Sequence, residues 1–144
     1  TPELAQDAIN AGAKFVVNHF ADEKIIRLCN KNGILVMQGV RSETESMAIM
    51  EMGCLTAKLL LPFGEEQYRI QYFKTFSGLF PLMLFFPTMG ITPENLGAYL
   101  KAGAPFVATS TPIIMPKAAV DAENWKEIGE AAKKYLKAVE EARA

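Results

Sequence analysis

The chain has 144 residues, of which 50% are hydrophobic and 22% are charged, so its composition is that of a folded globular domain and not of a disordered segment. Its 15 basic and 16 acidic residues are mixed along the sequence and give a formal net charge of -1, which excludes a basic nucleic-acid-binding surface. The most apolar stretch, residues 79–86, is too short to span a bilayer and contains Pro81, so we expect a soluble protein that does not bind membranes.

Helical and strand-like patterns alternate from the start of the chain. Amphipathic spacing predicts helices at residues 2–11, 22–32, 43–52, 65–76 and 93–102. Short apolar runs predict strands that follow these helices, at residues 14–17, 34–37, 55–61, 82–86 and 106–109. A longer pattern at 122–143 carries one apolar stripe with charges elsewhere, which predicts a surface helix.

Strands that alternate with single helices predict a parallel sheet in one α/β domain spanning residues 1–144. Right-handed crossovers leave two main architectures, a doubly wound open sheet and part of a (β/α)8 barrel, and the pattern alone favours neither. In both architectures functional residues gather at the carboxyl ends of the strands.

The cysteine content indicates the compartment. Cys29 and Cys54 lie in apolar settings and do not have metal-ligand spacing. We therefore expect reduced thiols in the core of a cytoplasmic protein, and neither a metal ion nor a cofactor.

Lys58 lies inside an apolar run that otherwise predicts a buried strand. Burial disfavours the charged ammonium, lowers the lysine pKa and produces a nucleophilic amine that can form a Schiff base. The alternative from the pattern alone is that the side chain lies at a strand end, where its ammonium reaches water or pairs with a carboxylate.

Other candidate residues follow the predicted strands. His19, the only histidine, follows the first strand and could transfer protons near neutral pH, or could have a purely structural role. The turns at 87–90 and 108–110 contain small residues and hydroxyls, which suit a bound phosphate or carboxylate, although ordinary tight loops have the same composition.

Five segments resemble, in order and spacing, motifs of the class I aldolases that act on 2-keto-3-deoxy-6-phosphogluconate (KDPG) and 4-hydroxy-2-oxoglutarate (KHG). Residues 11–17 are similar to the strand before the family's Ser-Pro, and residues 37–40 to its Pro-Gly-Ile or Pro-Gly-Val. Lys58 falls where the family's Schiff-base lysine precedes Phe-Pro. Residues 87–91 resemble Pro-Thr-Gly-Gly-Ile, and residues 107–110 resemble Ile-Gly-Gly-Ser, the family's two phosphate-contacting turns.

The resemblance implies a (β/α)8 barrel of TIM type, of which this chain supplies about five βα units and a C-terminal helix. It implies that Lys58 is the catalytic Schiff-base lysine. His19 stands at a pocket position that bears on stereospecificity, where the family has proline. The other implied pocket residues are Gly39 and Pro62, and the implied substrate- and phosphate-binding residues are Thr88, Met89, Gly90, Thr109 and Ser110. The family is typically trimeric, which implies a homo-oligomer.

The two phosphate turns depart from the family pattern. Met89 and the pair Ala108-Thr109 stand where the family has glycines. A side chain at Met89 is expected to crowd a phosphate bound to backbone amides, so a changed or non-phosphorylated substrate is an open alternative.

Thr1 aligns just after the third strand of the family's barrel. The resemblance therefore places three strands, the general-base glutamate, a substrate-binding arginine and a pocket threonine outside this sequence. We expect an N-terminally incomplete aldolase barrel whose usual proton-transfer partner is not in this chain.

Three functions follow from these observations. The first is a lyase that cleaves a 2-keto-3-deoxy sugar acid, with or without phosphate, or 4-hydroxy-2-oxoglutarate through a lysine Schiff base, to pyruvate or glyoxylate and an aldehyde. The second is a catalytically silent paralogue or assembly scaffold with the same fold. The third is a flavodoxin-like binding domain, which sequential strand order would exclude.

Overall fold

The computed structural model describes residues 1–144 and contains four strands and eight helices. The chain divides into two compact units. The first unit is Thr1–Leu60 with Thr75–Phe86, and the second is Leu61–Lys74 with Pro87–Ala144.

Helices and strands alternate along the first unit. Its elements are α1 (Pro2–Asn10), β1 (Phe15–Val17), α2 (Glu23–Lys31), β2 (Leu35–Val40), α3 (Glu43–Glu51) and β3 (Thr56–Leu60). The boundary between the units passes through α4 (Glu66–Gly78) and β4 (Leu84–Thr88). The remaining helices belong to the second unit and are α5 (Leu96–Lys101), α6 (Thr111–Ile114), α7 (Lys117–Asp121) and α8 (Trp125–Arg143).

Polar caps fix where the first helices begin. The Thr1 hydroxyl accepts a hydrogen bond from the Leu4 amide at the start of α1. At the start of α3, the Ser42 side chain accepts from the Glu45 amide while the Glu45 carboxylate accepts from the Ser42 amide. Such caps satisfy amides that have no partner within the helix, and each contributes about 1 kcal/mol.

The strands form one sheet in the order β1-β2-β3-β4. The pairs β1·β2 and β2·β3 are parallel, and Gly39 of β2 lies opposite Lys58 of β3. A doubly wound sheet reverses direction at a central strand, whereas a barrel keeps the strands in chain order. The observed order is therefore that of the barrel, and the flavodoxin-like alternative is wrong.

Apolar side chains fill the core of each unit. In the first unit Ile26, Ile49 and Leu59 are fully buried, and the rings of Phe76 and Phe85 pack edge to face with centroids 5.4 Å apart. Such an aromatic pair adds about 1 kcal/mol to the burial of the two rings.

The core of the second unit centres on Tyr99 and Phe73, whose rings also pack edge to face, at 6.0 Å. Ile91 and Leu96 are fully buried as well. These contacts anchor α5 and the segment that follows β4.

Two predicted elements differ most from the structure, and helices α6 and α7 were not predicted. Residues 106–109 do not form the predicted fifth strand, so the chain has four strands and not five; Ala108 donates a hydrogen bond to the Pro87 carbonyl at 3.0 Å, but no ladder follows from it. Helix α5 begins at Leu96 and not at residue 93, because the Asn95 side chain accepts from the Thr92 amide and holds the preceding residues in a turn.

Candidate functional site

Lys58 occupies the middle of β3, and four of the five residues of that strand are buried. Its own side chain is partly exposed, and burial lowers the pKa of its ammonium below the ordinary lysine value. Lys58 takes part in none of the chain's ion pairs. Of the two forms of the alternative, pairing with a carboxylate is absent, whereas the partly exposed ammonium does reach water. Without a carboxylate partner, the side chain meets the first requirement for a nucleophilic amine.

His19 lies beside Lys58 in the first unit. The distance from Lys58 Nζ to His19 Nδ1 is 3.4 Å, and the imidazole is exposed to solvent. The sequence placed both residues toward one end of the sheet, and the structure brings their nitrogen atoms together.

Gly39 explains why His19 lies so close to β3. The Gly39 amide donates to the Asn18 carbonyl at 3.0 Å, which joins β2 to the segment after β1. A Cβ atom at residue 39 would lie 1.8 Å from the His19 carbonyl oxygen, which is far inside any permitted contact. Glycine is therefore required here so that the His19 backbone can pass close to the strand.

Side-chain hydrogen bonds hold the same segment. Asn18 donates to the Phe20 carbonyl at 2.8 Å and accepts from the His19 amide at 3.0 Å. The fully buried Gln38 accepts from the Asp22 amide at 3.0 Å. The backbone that carries His19 is thus anchored both before and after that residue.

The second unit contains a cavity of about 280 Å³. Its lining residues are Leu61, Pro62, Phe63, Gly64, Arg69, Met89, Gly90 and Ser110. Three of them, Met89, Gly90 and Ser110, were predicted from the sequence to bind substrate, and Pro62 was predicted as another pocket residue.

The two predicted threonines do not line this cavity. The Thr109 hydroxyl lies 3.1 Å from the Ile91 carbonyl oxygen and 3.0 Å from the Tyr135 hydroxyl, so its hydrogen bonds tie α8 to the segment after β4. Thr88 is buried at the end of β4. The hydroxyl of Thr109 therefore has a structural role in this conformation.

The turn after β4 contains a methionine in a backbone conformation that favours glycine. Met89 has φ 73° and Gly90 has φ 68°, so two consecutive residues adopt the left-handed conformation. For a residue with a Cβ atom this conformation costs about 1 to 2 kcal/mol. Met89 therefore holds a backbone conformation that a glycine would adopt without this cost.

Arg69 was not predicted from the sequence. It lies on α4 with its side chain 12% exposed, and its guanidinium donates to the Met89 carbonyl and lies 3.5 Å from Glu66 Oε2. Asn95 donates to the Glu66 carboxylate at 3.1 Å and to the Gly90 carbonyl at 2.9 Å. An i,i+3 Glu–Arg pair is common on helices, so the sequence contained no signal that this arginine reaches a turn.

Replacing Met89 tests the strain of this turn. We expect Met89→Gly to be more stable than Met89→Ala by about 1 kcal/mol, because both variants lose the side chain and only glycine relieves the left-handed backbone. Urea unfolding of the two variants measures the difference. Met47, exposed on helix α3, is the control, since there alanine should be the more stable replacement. Equal stabilities of Met89→Gly and Met89→Ala would contradict a strained backbone at residue 89.

No group of three or more His, Cys, Asp or Glu side chains is placed to hold a metal ion. None of the helices combines the length and hydropathy needed to cross a bilayer.

Comparison with known sequences gives one family. A profile described as "KDPG and KHG aldolase" matches residues 1–131. A 2-dehydro-3-deoxy-phosphogluconate aldolase of Pseudomonas aeruginosa is 31% identical over 127 residues, which cover 88% of this chain and 56% of that protein. A 2-dehydro-3-deoxy-6-phosphogalactonate aldolase of Escherichia coli is 27% identical over 71% of this chain and 49% of its own length. The chain thus spans about half the length of the curated relatives it matches.

Solved structures agree on the fold. A KDPG aldolase from Legionella pneumophila, described with pyruvate captured as a covalent carbinolamine, has a TM-score of 0.73 and 29% identity over 94% of this chain and 64% of its own. A structure described as native KDPGal has a TM-score of 0.81 and 23% identity over 99% of this chain and 66% of its own. The fold is therefore of the TIM-barrel type, to which this chain contributes four parallel strands.

Proposed function

The chain belongs to the KDPG and KHG aldolase family, and from that premise we propose that it works as a class I carbon–carbon lyase through a Schiff base on Lys58. The observation that carries the proposal is the environment of this amine. Lys58 lies mid-strand, free of carboxylate partners, and its pKa is lowered by burial. These are the conditions under which a lysine reacts with a carbonyl carbon.

The proposed reaction begins when neutral Lys58 attacks the keto carbon of an α-keto acid. Loss of water gives an iminium, which accepts the electron pair released as the bond between C3 and C4 breaks. The 4-hydroxyl gives up its proton and becomes the aldehyde carbonyl. Protonation of the enamine at C3 and hydrolysis then release pyruvate and regenerate the amine. The substrate class is a 2-keto-3-deoxy acid or 4-hydroxy-2-oxoglutarate.

We propose that the cavity of the second unit binds an anionic group of the substrate. Ser110 supplies a hydroxyl, the turn at Gly90 supplies backbone N–H groups, and Arg69 adds positive charge at the cavity wall. Glu66 partly offsets that charge. A carboxylate or a phosphate would satisfy these donors, and the left-handed shape of the turn at Met89 supports retention of this role.

The partners and setting are proposals drawn from the same family. We propose a homotrimer in the cytoplasm that acts on a small-molecule α-keto acid, within a single aldolase domain. The pocket roles of Gly39, Pro62 and Thr88 belong to the same proposal. A catalytically silent family member is the second candidate, because Met89 and Thr109 replace glycines of the phosphate turns.

The test is reductive trapping of the folded chain with pyruvate and borohydride. We expect a reduced pyruvyl adduct on the peptide that contains Lys58, identified by mass spectrometry. Because a lowered pKa increases the neutral fraction of the amine, the rate of adduct formation should rise with pH to a midpoint below 10.5, the ordinary lysine value. An adduct confined to other lysines, or none, would favour the silent family member.

A further inference from the structure

We propose that His19 is a second catalytic residue, which transfers protons while the Schiff base forms on Lys58. The inference rests on the proposed function and adds to it a proton carrier that lies within this chain. Its basis is the 3.4 Å separation of His19 Nδ1 and Lys58 Nζ, which places an acid–base group beside the reacting nitrogen.

The position of His19 is fixed by its backbone and not by chance contact of two mobile side chains. The Gly39 amide binds the Asn18 carbonyl, and the missing side chain at Gly39 admits the His19 carbonyl against β2. Asn18 holds the amide of His19 and the carbonyl of Phe20. The imidazole therefore extends from a fixed backbone segment and lies beside Lys58. Lys58 in turn lies opposite Gly39 in the sheet register.

The exposure of His19 suits proton exchange. With its proton on Nε2, the imidazole can accept an N–H of Lys58 at Nδ1. The same ring is open to solvent, so it can return or collect a proton from water between steps.

We assign to His19 the proton transfers by which the carbinolamine forms and loses water. The neutral amine of Lys58 forms a C–N bond to the keto carbon, and the carbonyl oxygen becomes an alkoxide. His19 takes the excess proton from the Lys58 nitrogen and, as the imidazolium, gives it to the alkoxide, which leaves a neutral carbinolamine. His19 then takes one proton from solvent and gives it to the departing hydroxyl as the C–O bond breaks, so that water and the iminium result. His19 ends neutral, and the single positive charge of the iminium corresponds to one proton taken up overall.

The experiment is the rate of pyruvate trapping in His19→Ala, measured with borohydride in excess so that iminium formation limits the rate. We expect a decrease of about 10²-fold or more. Added imidazole should restore part of that rate in proportion to its concentration, because the exposed site admits a free imidazole. Phe15→Ala is the matched control, since Phe15 is an exposed aromatic on β1 and should leave the rate unchanged.

His19→Gln separates proton transfer from positioning. Glutamine can hydrogen-bond to Lys58 but does not exchange a proton near neutral pH, so this variant should be as slow as His19→Ala. A wild-type rate in either variant, or a slow His19→Ala that does not respond to imidazole, would overturn the role of His19 while an adduct on the unchanged chain upheld the proposed function. Absence of any adduct on the unchanged chain would overturn both.

Discussion

Lys58→Met should lose the pyruvate adduct completely and keep the fold. Methionine has a similar length and an unbranched side chain, so it can occupy the same space in β3 without a new cavity. The thioether cannot attack a carbonyl carbon, and no neighbouring amine shares the environment described for Lys58. Mass spectrometry after borohydride treatment measures the adduct, and circular dichroism measures the fold.

The stability of Lys58→Met follows from the sign of the pKa shift. Burial lowers the pKa of Lys58 in the folded state. At neutral pH the ammonium is charged in both states, but it is partly desolvated in the folded chain and fully hydrated in the unfolded chain. The unfavourable contribution of Lys58 to stability should therefore fall as pH increases through the window between the lowered pKa and 10.5. Lys58→Met removes this dependence and should melt at the same or a higher temperature at neutral pH.

Lys101→Met is the control, because Lys101 is exposed in the last turn of α5. It should retain the adduct at the rate of the unchanged chain. Persistence of the adduct in Lys58→Met would assign the chemistry to a different amine.

Gly39→Ala should lower the stability of the chain more than alanine at any other glycine of the first unit. The new Cβ would lie 1.8 Å from the His19 carbonyl oxygen and 2.5 Å from the His19 carbonyl carbon, and both atoms belong to a hydrogen-bonded backbone. Relief requires that the segment at His19 leave β2 and break the Gly39–Asn18 hydrogen bond. We expect a loss of about 3 kcal/mol or more in the free energy of unfolding.

Gly129→Ala is the matched control for this substitution. Gly129 lies inside α8 with nothing within 4 Å of its would-be Cβ, so alanine should stabilise the chain by about 0.5 to 1 kcal/mol. Urea unfolding of both variants measures whether each alanine raises or lowers the free energy of unfolding. A neutral effect at Gly39 would show that the His19 segment can move, and would weaken the fixed geometry on which the role of His19 rests.

The sequence predicted six of the eight helices and the first four strands because local patterns determine them, whereas the short helices α6 and α7 were not predicted. The prediction that Cys29 and Cys54 are free thiols in the core is confirmed. The strand predicted at 106–109 was wrong, since an apolar run forms a strand only where a neighbouring backbone supplies a ladder of hydrogen bonds.

The candidate site was predictable in its residues and not in its contacts. Lys58 was identified from an apolar run with a single charge, and His19 from its place after a strand. Their separation of 3.4 Å depends on the register that places Gly39 opposite Lys58, which no local pattern specifies. Arg69 was missed for the same reason, because its contact with the Met89 carbonyl joins residues of a helix and a distant turn.

The sequential order of the strands also determines how the chain reaches its fold. Phe15 pairs with Leu35, and Met37 pairs with Thr56, so each parallel pairing closes a loop of about 20 residues. The entropy lost in closing a loop grows only with the logarithm of its length, and short closures favour rapid folding. Each strand of this sheet can therefore add to the one made just before it, and β1, β2 and β3 can assemble in the order in which a ribosome delivers them.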